Sequence, residues 1–156
     1  MKKSRVLFVC MGNICRSPAA EAILNSISLS DEVDIQVDSA GTESYHVGNL
    51  PDERMRAAAK KRGIPMVSHA RQVTAKDLAA GEFDWVIAMD HANMRRLRSI
   101  SSEELSPHVR LFSDFLDDQW PDEVPDPYYG GDDGFEYVLD MLEAGCPGIL
   151  ESLSSS

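Results

Sequence analysis

The feature that most constrains the fold is a short apolar run near the start of the chain. Residues 6–10 read Val-Leu-Phe-Val-Cys, follow Arg5, and end at a Met-Gly pair. A strand that is apolar on both faces must be covered on both faces, as happens in parallel sheets with helices on each side. The run over 5–10 therefore predicts a buried parallel strand, and with it a layered α/β fold.

Strand-like and helix-like segments alternate along the rest of the chain. Further strands are predicted over 33–39, 84–89 and 109–112. Helices are predicted from Ser17, from Pro51 to Gly63, after Thr74, over 91–100 and from Phe135 through Cys146, where Pro147 should kink or end the last one. Such alternation favours a single three-layer α/β domain over residues 1–156, with a four-stranded parallel sheet flanked by helices on both faces.

The first of these helices carries start signals of its own. Ser17 is a candidate N-cap, Pro18 suits the first helical position, and Glu21 falls close to the place of a capping-box acid. We therefore expect the helix to open directly after residue 16, with Ser17 satisfying its first amide groups.

Composition excludes several classes of function. The net charge of −11 argues against nucleic-acid binding, and no apolar run is long enough for a membrane span. The four histidines are scattered without metal-ligand spacing, so we expect no metal. The apolar run near the N-terminus is shorter than a signal-peptide core and no cleavage site follows it. We therefore expect a cytoplasmic protein whose three cysteines are thiols.

The segment after the first predicted strand carries the strongest chemical signal. Cys10 ends the strand, five residues intervene, and Arg16 precedes a helix. Successive backbone amides leading into a helix N-terminus form an anion site, and Gly12 and Asn13 tolerate the positive φ of a tight loop. The same positive field favours a nucleophilic thiolate at Cys10, and Ser17 can donate a hydrogen bond to its sulfur. The alternative is a small core cysteine before an ordinary β–α turn.

A second segment, Asp126-Pro127-Tyr128-Tyr129, lies in a long loop after the fourth predicted strand. Phosphate transfer from an ester needs a proton for the departing oxygen, and Asp126 could supply it and then act as a base toward water. The two tyrosines could form the wall of a pocket for an aromatic ring. By itself this segment is ordinary turn chemistry, and it gains meaning only beside the Cys10 loop.

Together these segments resemble the low-molecular-weight protein tyrosine phosphatase family. The resemblance rests on residues 9–18 and 126–129, with Asp38–Thr42, Gly63–Pro65 and Ala70–Gln72 in the same order between them. It implies a four-stranded parallel sheet and hydrolysis of phosphotyrosine without a metal or organic cofactor. It also implies the catalytic roles: Cys10 is the nucleophile and forms a phosphocysteine, Arg16 binds phosphate, and Asp126 is the acid and then the base.

The same resemblance implies roles for the residues around the pocket. The loop and its entrance would contact substrate through Met11, Gly12, Asn13, Ile14, Cys15, Ser17, Tyr45, Tyr128 and Tyr129. Loop support would come from Asn13, Ser17, Ser39 and Asp90. His69 lies near a family histidine that props the loop, or is an exposed loop residue. Cys15 either pairs with Cys10 under oxidation or fills the underside of the loop, and the sequence leaves both open.

Family analogy also implies the partners and the rivals. The implied substrates are phosphotyrosine proteins, with an autophosphorylating tyrosine kinase among them, and the product is inorganic phosphate. Arsenate reductases share the loop but pass oxidation to two further cysteines, whereas this chain has none between Cys15 and Cys146. A non-catalytic phosphotyrosine reader would need Arg16 but neither Cys10 nor Asp126, so hydrolysis is the favoured prediction.

Overall fold

The computed structural model describes residues 3–101, 104–129 and 131–154. Within them, four parallel strands form one sheet in the order β2-β1-β3-β4. The strands are β1 (Ser4–Cys10), β2 (Ile35–Gly41), β3 (Trp85–Ala88) and β4 (Val109–Leu111). The helices are α1 (Arg16–Ser30), α2 (Glu53–Lys61), α3 (His91–Ile100) and α4 (Asp132–Ser154), with 3-10 turns at Lys76–Leu78, Phe112–Phe115 and Pro127–Tyr129. The predicted four-stranded parallel α/β fold is confirmed.

The central strand β1 explains the layering. Val6 and Phe8 pack into a core shared with α1, α2 and α4, while Leu7 and Val9 pack into the core on the α3 side. All four side chains have no exposed surface. Full burial of each contributes about 1.5–3 kcal/mol, which accounts for the unbroken apolar run from Val6 to Val9 within the strand. Its last residue, Cys10, is thereby held at the carboxyl edge of the sheet, where ligands bind in folds of this kind.

The start of α1 differs from the prediction. The helix begins at Arg16 with Cys15 in the N-cap position, and no side chain caps it. Ser17 instead places its hydroxyl beside the Cys10 sulfur, and Glu21 accepts a hydrogen bond from Ser39. The predicted cap and capping box are therefore wrong. Both side chains support the loop over residues 11–15, the predicted phosphate loop. The helix start keeps its amide groups free of side-chain caps.

The starts of α2 and α3 are capped by aspartates. Asp52, rather than Pro51, marks the start of α2, because its carboxylate accepts from the amides of Arg54 and Met55. Asp90 caps α3 in a reciprocal capping box with Asn93. Each cap contributes about 1 kcal/mol and fixes the loop that leads into the helix.

The last helix continues through its proline. α4 runs to Ser154 with Pro147 inside it, so of the two predicted effects of Pro147 the end of the helix is wrong and a kink stays a prediction. Pro147 faces solvent, whereas Cys146, Ile149 and Leu150 beside it are buried in the core. Burial of those side chains outweighs the lost backbone hydrogen bond. None of the helices in the described ranges is long and apolar enough to cross a membrane.

Candidate active site

The loop between β1 and α1 presents a row of unused backbone amides. Across the described part of the chain, the amide groups of residues 11–15 donate no hydrogen bond. The carbonyls of Cys10, Met11 and Ile14, by contrast, accept from Thr42, Glu43 and Asp52 outside the loop. The loop is thus fixed from outside through its carbonyls. Free amides followed directly by a helix N-terminus are the arrangement that binds anions, so the geometry is the one that the sequence predicts for an anion site.

Asn13 holds the loop in its tight conformation. Its φ is 57°, in the left-handed region that asparagine tolerates better than most residues. Its Nδ2 donates to the hydroxyls of Ser17 at 2.8 Å and Ser39 at 2.9 Å, and its Oδ1 accepts from the amide of Arg71 at 2.9 Å. All the hydrogens of one buried amide are therefore used to fix the loop against α1 and β2.

A carboxylate stands behind this network. The hydroxyl of Ser39 donates to Oε1 of Glu21 at 2.5 Å. Burial raises the pKa of Glu21, although the hydrogen bond from Ser39 opposes the shift. His69 is exposed, which agrees with the alternative that it is an exposed loop residue.

Cys10 lies at the bottom of the pocket, 2% exposed, with its sulfur 3.0 Å from the hydroxyl oxygen of Ser17. That oxygen already accepts from Asn13, so its own hydrogen is available to an acceptor. The Cys10 sulfur is closer than the other candidate, the carbonyl of Ala40 at 3.4 Å. Ser17 therefore donates to Cys10, an arrangement that stabilises a thiolate.

Arg16 is aimed by two acidic residues and a carbonyl. Its Nη1 donates to Asp90 at 2.6 Å and to the carbonyl of Val124 at 3.0 Å, and its Nη2 lies 3.6 Å from Oδ2 of Asp126. Burial would lower the pKa of Arg16, but the charges of Cys10, Asp90 and Asp126 outweigh it and raise the pKa. The guanidinium therefore stays a fixed cation beside the sulfur.

Asp126 and the aromatic residues form the mouth of the pocket. The Asp126 carboxylate is 28% exposed, and its Oδ1 accepts from the amide of Tyr128 at 3.0 Å. Tyr45, 71% exposed, stands at the rim. The residues that line the cleft are Cys10, Met11, Gly12, Ile14, Cys15, Arg16, Tyr45, His46, Asp126 and Tyr128. The predicted role of Tyr129 depends on a side chain outside the described part of the structure.

Two residues of the site were missed by sequence reasoning. The ring of His46 meets that of Tyr128 edge to face at 6.1 Å between centroids, and a β-carbon on Gly12 would lie 2.9 Å from His46 Cδ2. Arg54 donates to the carbonyl of Tyr128 at 3.0 Å. Neither residue stands in a motif, and no local signal could have found them.

The remaining cysteines lie in different surroundings. Cys15 lines the cleft but is buried, and this burial, together with the nearby charges of Asp52, Cys10 and Asp126, raises its pKa and keeps it a thiol. Cys146 is fully buried in the core that α1 and α4 share. All three cysteines are free thiols. Among the described residues, no cluster of three or more His, Cys, Asp or Glu side chains could hold a metal ion.

Comparison with known proteins points to one family. The profile described as "Low molecular weight phosphotyrosine protein phosphatase" matches residues 5–156. A putative low molecular weight protein-tyrosine-phosphatase of Synechocystis sp. is 46% identical over 96% of both chains. The low molecular weight phosphotyrosine protein phosphatase of Homo sapiens is 40% identical over 94% of this chain and 93% of its own.

The solved structures agree with this result. A protein tyrosine phosphatase from Entamoeba histolytica, crystallised with Hepes in its active site, superposes with a TM-score of 0.92. It is 40% identical in sequence, and the match covers 98% of both chains. The sheet order and the helices found here are therefore those of that phosphatase fold.

Proposed function

The chain belongs to the low molecular weight phosphotyrosine protein phosphatase family and is a cysteine-dependent protein tyrosine phosphatase; we propose that Cys10, Arg16 and Asp126 carry out its reaction. The observation that carries this proposal is the Cys10 sulfur beneath a row of unbonded amides, with Arg16 beside it and Asp126 at the mouth. We also propose that residues 1–156 work as one domain.

In the first step, the amides of residues 11–15 and the Arg16 guanidinium bind the three non-bridging oxygens of the phosphate. The Cys10 sulfur attacks phosphorus, and the bond from phosphorus to the tyrosine oxygen breaks. Asp126 gives its proton to that oxygen, so the leaving group departs as neutral tyrosine. The product at this stage is a phosphocysteine at Cys10 and an ionised Asp126.

In the second step, Asp126 accepts a proton from water while the water oxygen attacks phosphorus. The bond from phosphorus to sulfur breaks, the thiolate re-forms with the Ser17 hydroxyl donating to it, and inorganic phosphate leaves. Asp126 ends protonated and the enzyme is ready for another turnover. Ion pairing to Asp90 holds one edge of Arg16 in place through both steps.

The supporting and specificity roles follow from the contacts. Asn13, Ser17 and Ser39 keep the loop open for phosphate, and Met11, Gly12, Ile14 and Cys15 contribute main-chain amides. Tyr45 and Tyr128, with Tyr129 by resemblance, flank the ring of the substrate. Phosphotyrosine is longer than phosphoserine, so it alone reaches the buried sulfur. Equal turnover of phosphotyrosine and phosphoserine peptides would contradict this selectivity.

We propose a reducing compartment, the cytoplasm, and protein substrates that include an autophosphorylating tyrosine kinase. A catalytic thiolate requires Cys10 to stay reduced, and all three cysteines are free thiols. Family analogy alone supports the kinase as a substrate. Incubating the enzyme with a phosphorylated tyrosine kinase and following release of phosphate tests that assignment.

The catalytic assignment is tested by turnover with and without a chelator. Cys10→Ser should abolish turnover and keep phosphate binding, because the free amides of residues 11–15 and the Arg16 guanidinium remain. Bound phosphate with no turnover by the wild type would favour a phosphotyrosine reader instead. Thiol oxidation that depends on arsenate would favour the arsenate reductase alternative.

Cys15 has a proposed redox role. Its place in the same cleft as Cys10 supports a disulfide between them under oxidation, which would silence the enzyme reversibly. Inactivation of the wild type by peroxide should then be reversed by a thiol reductant, whereas Cys15→Ser should be inactivated irreversibly. Equal recovery of both proteins would leave Cys15 as a packing residue.

A further inference from the structure

Arg54 connects three elements around the mouth of the pocket. It follows the N-cap of α2, and its guanidinium donates to the Asp52 carboxylate at 3.1 Å and to the Tyr128 carbonyl at 3.0 Å. The same group lies over the rings of Tyr128 at 5.4 Å and Phe135 at 4.8 Å. One cation therefore joins α2 to the segment that follows Asp126 and to α4.

These contacts form a continuous path between the two catalytic loops. The amide of Asp52 donates to the carbonyl of Ile14 in the phosphate loop at 2.7 Å. The Asp52 side chain is held by Arg54, which in turn holds the carbonyl of Tyr128. The amide of Tyr128 donates to Oδ1 of Asp126. The loop that carries the sulfur and the loop that carries the acid are thus joined through Asp52 and Arg54.

The acid loop, residues 124–128, is tied to the rest of the fold at both ends. At its start, the amide of Val124 donates to the carbonyl of Met89, and its carbonyl accepts from Arg16. The carboxylate of Asp126 comes two residues later, and its Oδ1 accepts from the amide of Tyr128 inside the same loop. Without the contact from Arg54 to Tyr128, the far side of the loop loses its hydrogen bond to α2.

We propose that Arg54 is a positioning residue for Asp126: it fixes the acid loop against the phosphate loop so that the proton reaches the leaving oxygen. This inference rests on the proposed role of Asp126 as the general acid. A proton donor must lie within hydrogen-bond reach of its target, and a displacement of about 1 Å can lower a rate by about 10²-fold.

The test compares two esters whose leaving groups differ in their need for a proton. Phenolate requires protonation, whereas nitrophenolate leaves unaided. The quantity measured is kcat/KM, which covers the steps up to departure of the leaving group. Arg54→Met keeps the apolar stem and removes every donor. It should lower kcat/KM about tenfold for phenyl phosphate and less than about twofold for nitrophenyl phosphate.

A matched control lies one half-turn along the same helix. The Arg56 side chain donates to the carbonyl of Pro51, just before α2, and within the described residues it has no hydrogen bond to either catalytic loop. Arg56→Met should leave both kcat/KM values unchanged. Arg54→Lys keeps the charge but loses the planar fork, so it should show the same ester selectivity as Arg54→Met to a smaller degree. Thermal unfolding of each variant checks that the fold is kept, and Arg54→Lys carries the test if Arg54→Met does not fold.

A cycle with Asp126→Ala separates this inference from the proposed function. The proposal stands if Asp126→Ala lowers kcat/KM more for phenyl phosphate than for nitrophenyl phosphate, and if adding Arg54→Met to Asp126→Ala does not widen that difference. Equal losses of kcat/KM on both esters from Arg54→Met would overturn the role of Arg54 and leave that of Asp126 intact. So would a further loss specific to phenyl phosphate when Arg54→Met is added to Asp126→Ala. Equal losses from Asp126→Ala itself would overturn the acid and, with it, this inference.

Discussion

Removal of the Ser17 hydroxyl tests how strongly the site stabilises negative charge on the Cys10 sulfur. Ser17 is fully buried and its oxygen lies 3.0 Å from the Cys10 sulfur. A hydrogen bond to a charged group contributes about 1.5–3 kcal/mol. At 1.36 kcal/mol for each factor of ten, Ser17→Ala should slow the affected step about 10- to 160-fold.

The affected step is hydrolysis of the phosphocysteine. There the sulfur regains negative charge as it leaves phosphorus, so a lost donor raises the barrier directly. In the first step the thiolate is already present and loses charge, and a lost donor also makes it more reactive, which offsets part of the effect. Ser17→Ala should therefore lower kcat on nitrophenyl phosphate more than kcat/KM, and a burst of nitrophenol should precede the slow steady state.

Stopped-flow absorbance measures that burst, and Ser28→Ala is the matched control. Ser28 lies on the same helix, is 4% exposed, and donates to the carbonyl of Asn25 at 2.9 Å away from the pocket. Its loss should leave kcat unchanged. If Ser17→Ala kept kcat within about twofold and showed no burst, a hydrogen bond of that strength from Ser17 to the sulfur could not exist.

Three further predictions concern stability and the loop. Arg62→Met removes ion pairs from α2 to three carboxylates of α4, Glu136 the closest at 2.7 Å; urea unfolding should show a loss of about 1 kcal/mol that shrinks in high salt, with kcat unchanged. Burial alone would raise the pKa of Asp77, but the Arg71 side chain and the Thr74 amide hold it below the usual value of 3.8. The ionised Asp77 should therefore stabilise the fold above that pH, and this contribution should be lost as the pH falls through the folded pKa. The difference in unfolding free energy between wild type and Asp77→Asn should vanish below the folded pKa, and a constant difference down to about pH 2 would contradict the ion pair. Asn13→Gly and Asn13→Ala both lose the loop network and should lose activity, but alanine at a φ of 57° should cost about 1 kcal/mol more in thermal or urea unfolding than glycine, and equal stability would contradict the strain.

Local sequence was enough for the strand, the loop and the helix that build the phosphate site. The apolar run that ends at Cys10 is stable as a strand with both faces buried. The five residues between Cys10 and Arg16 are few enough to form a single short loop. Ser17 shows the limit of such reasoning, because the pattern of a cap and the needs of a thiolate call for the same residue type. Which of them prevails depends on Asn13 and Cys10 arriving at the same hydroxyl in the folded chain.

Contacts between distant segments were out of reach for the same reason. Arg54 and Tyr128 are 74 residues apart, and nothing near either one marks the partner. His46 gave no signal because a histidine in a loop is commonly an exposed side chain. The helix does not end at Pro147, because Ile149 and Leu150 beyond it are buried against the core. A local rule for helix ends takes no account of that burial.

The central claim is that the sulfur of Cys10 takes the phosphoryl group from the substrate. Rapid mixing of Ser17→Ala with excess nitrophenyl phosphate, an acid quench and peptide mass spectrometry would measure it directly. We expect one phosphoryl group on the peptide that carries Cys10, on its sulfur, in an amount that matches the burst of nitrophenol. A full burst with the phosphoryl group on any other residue would contradict it.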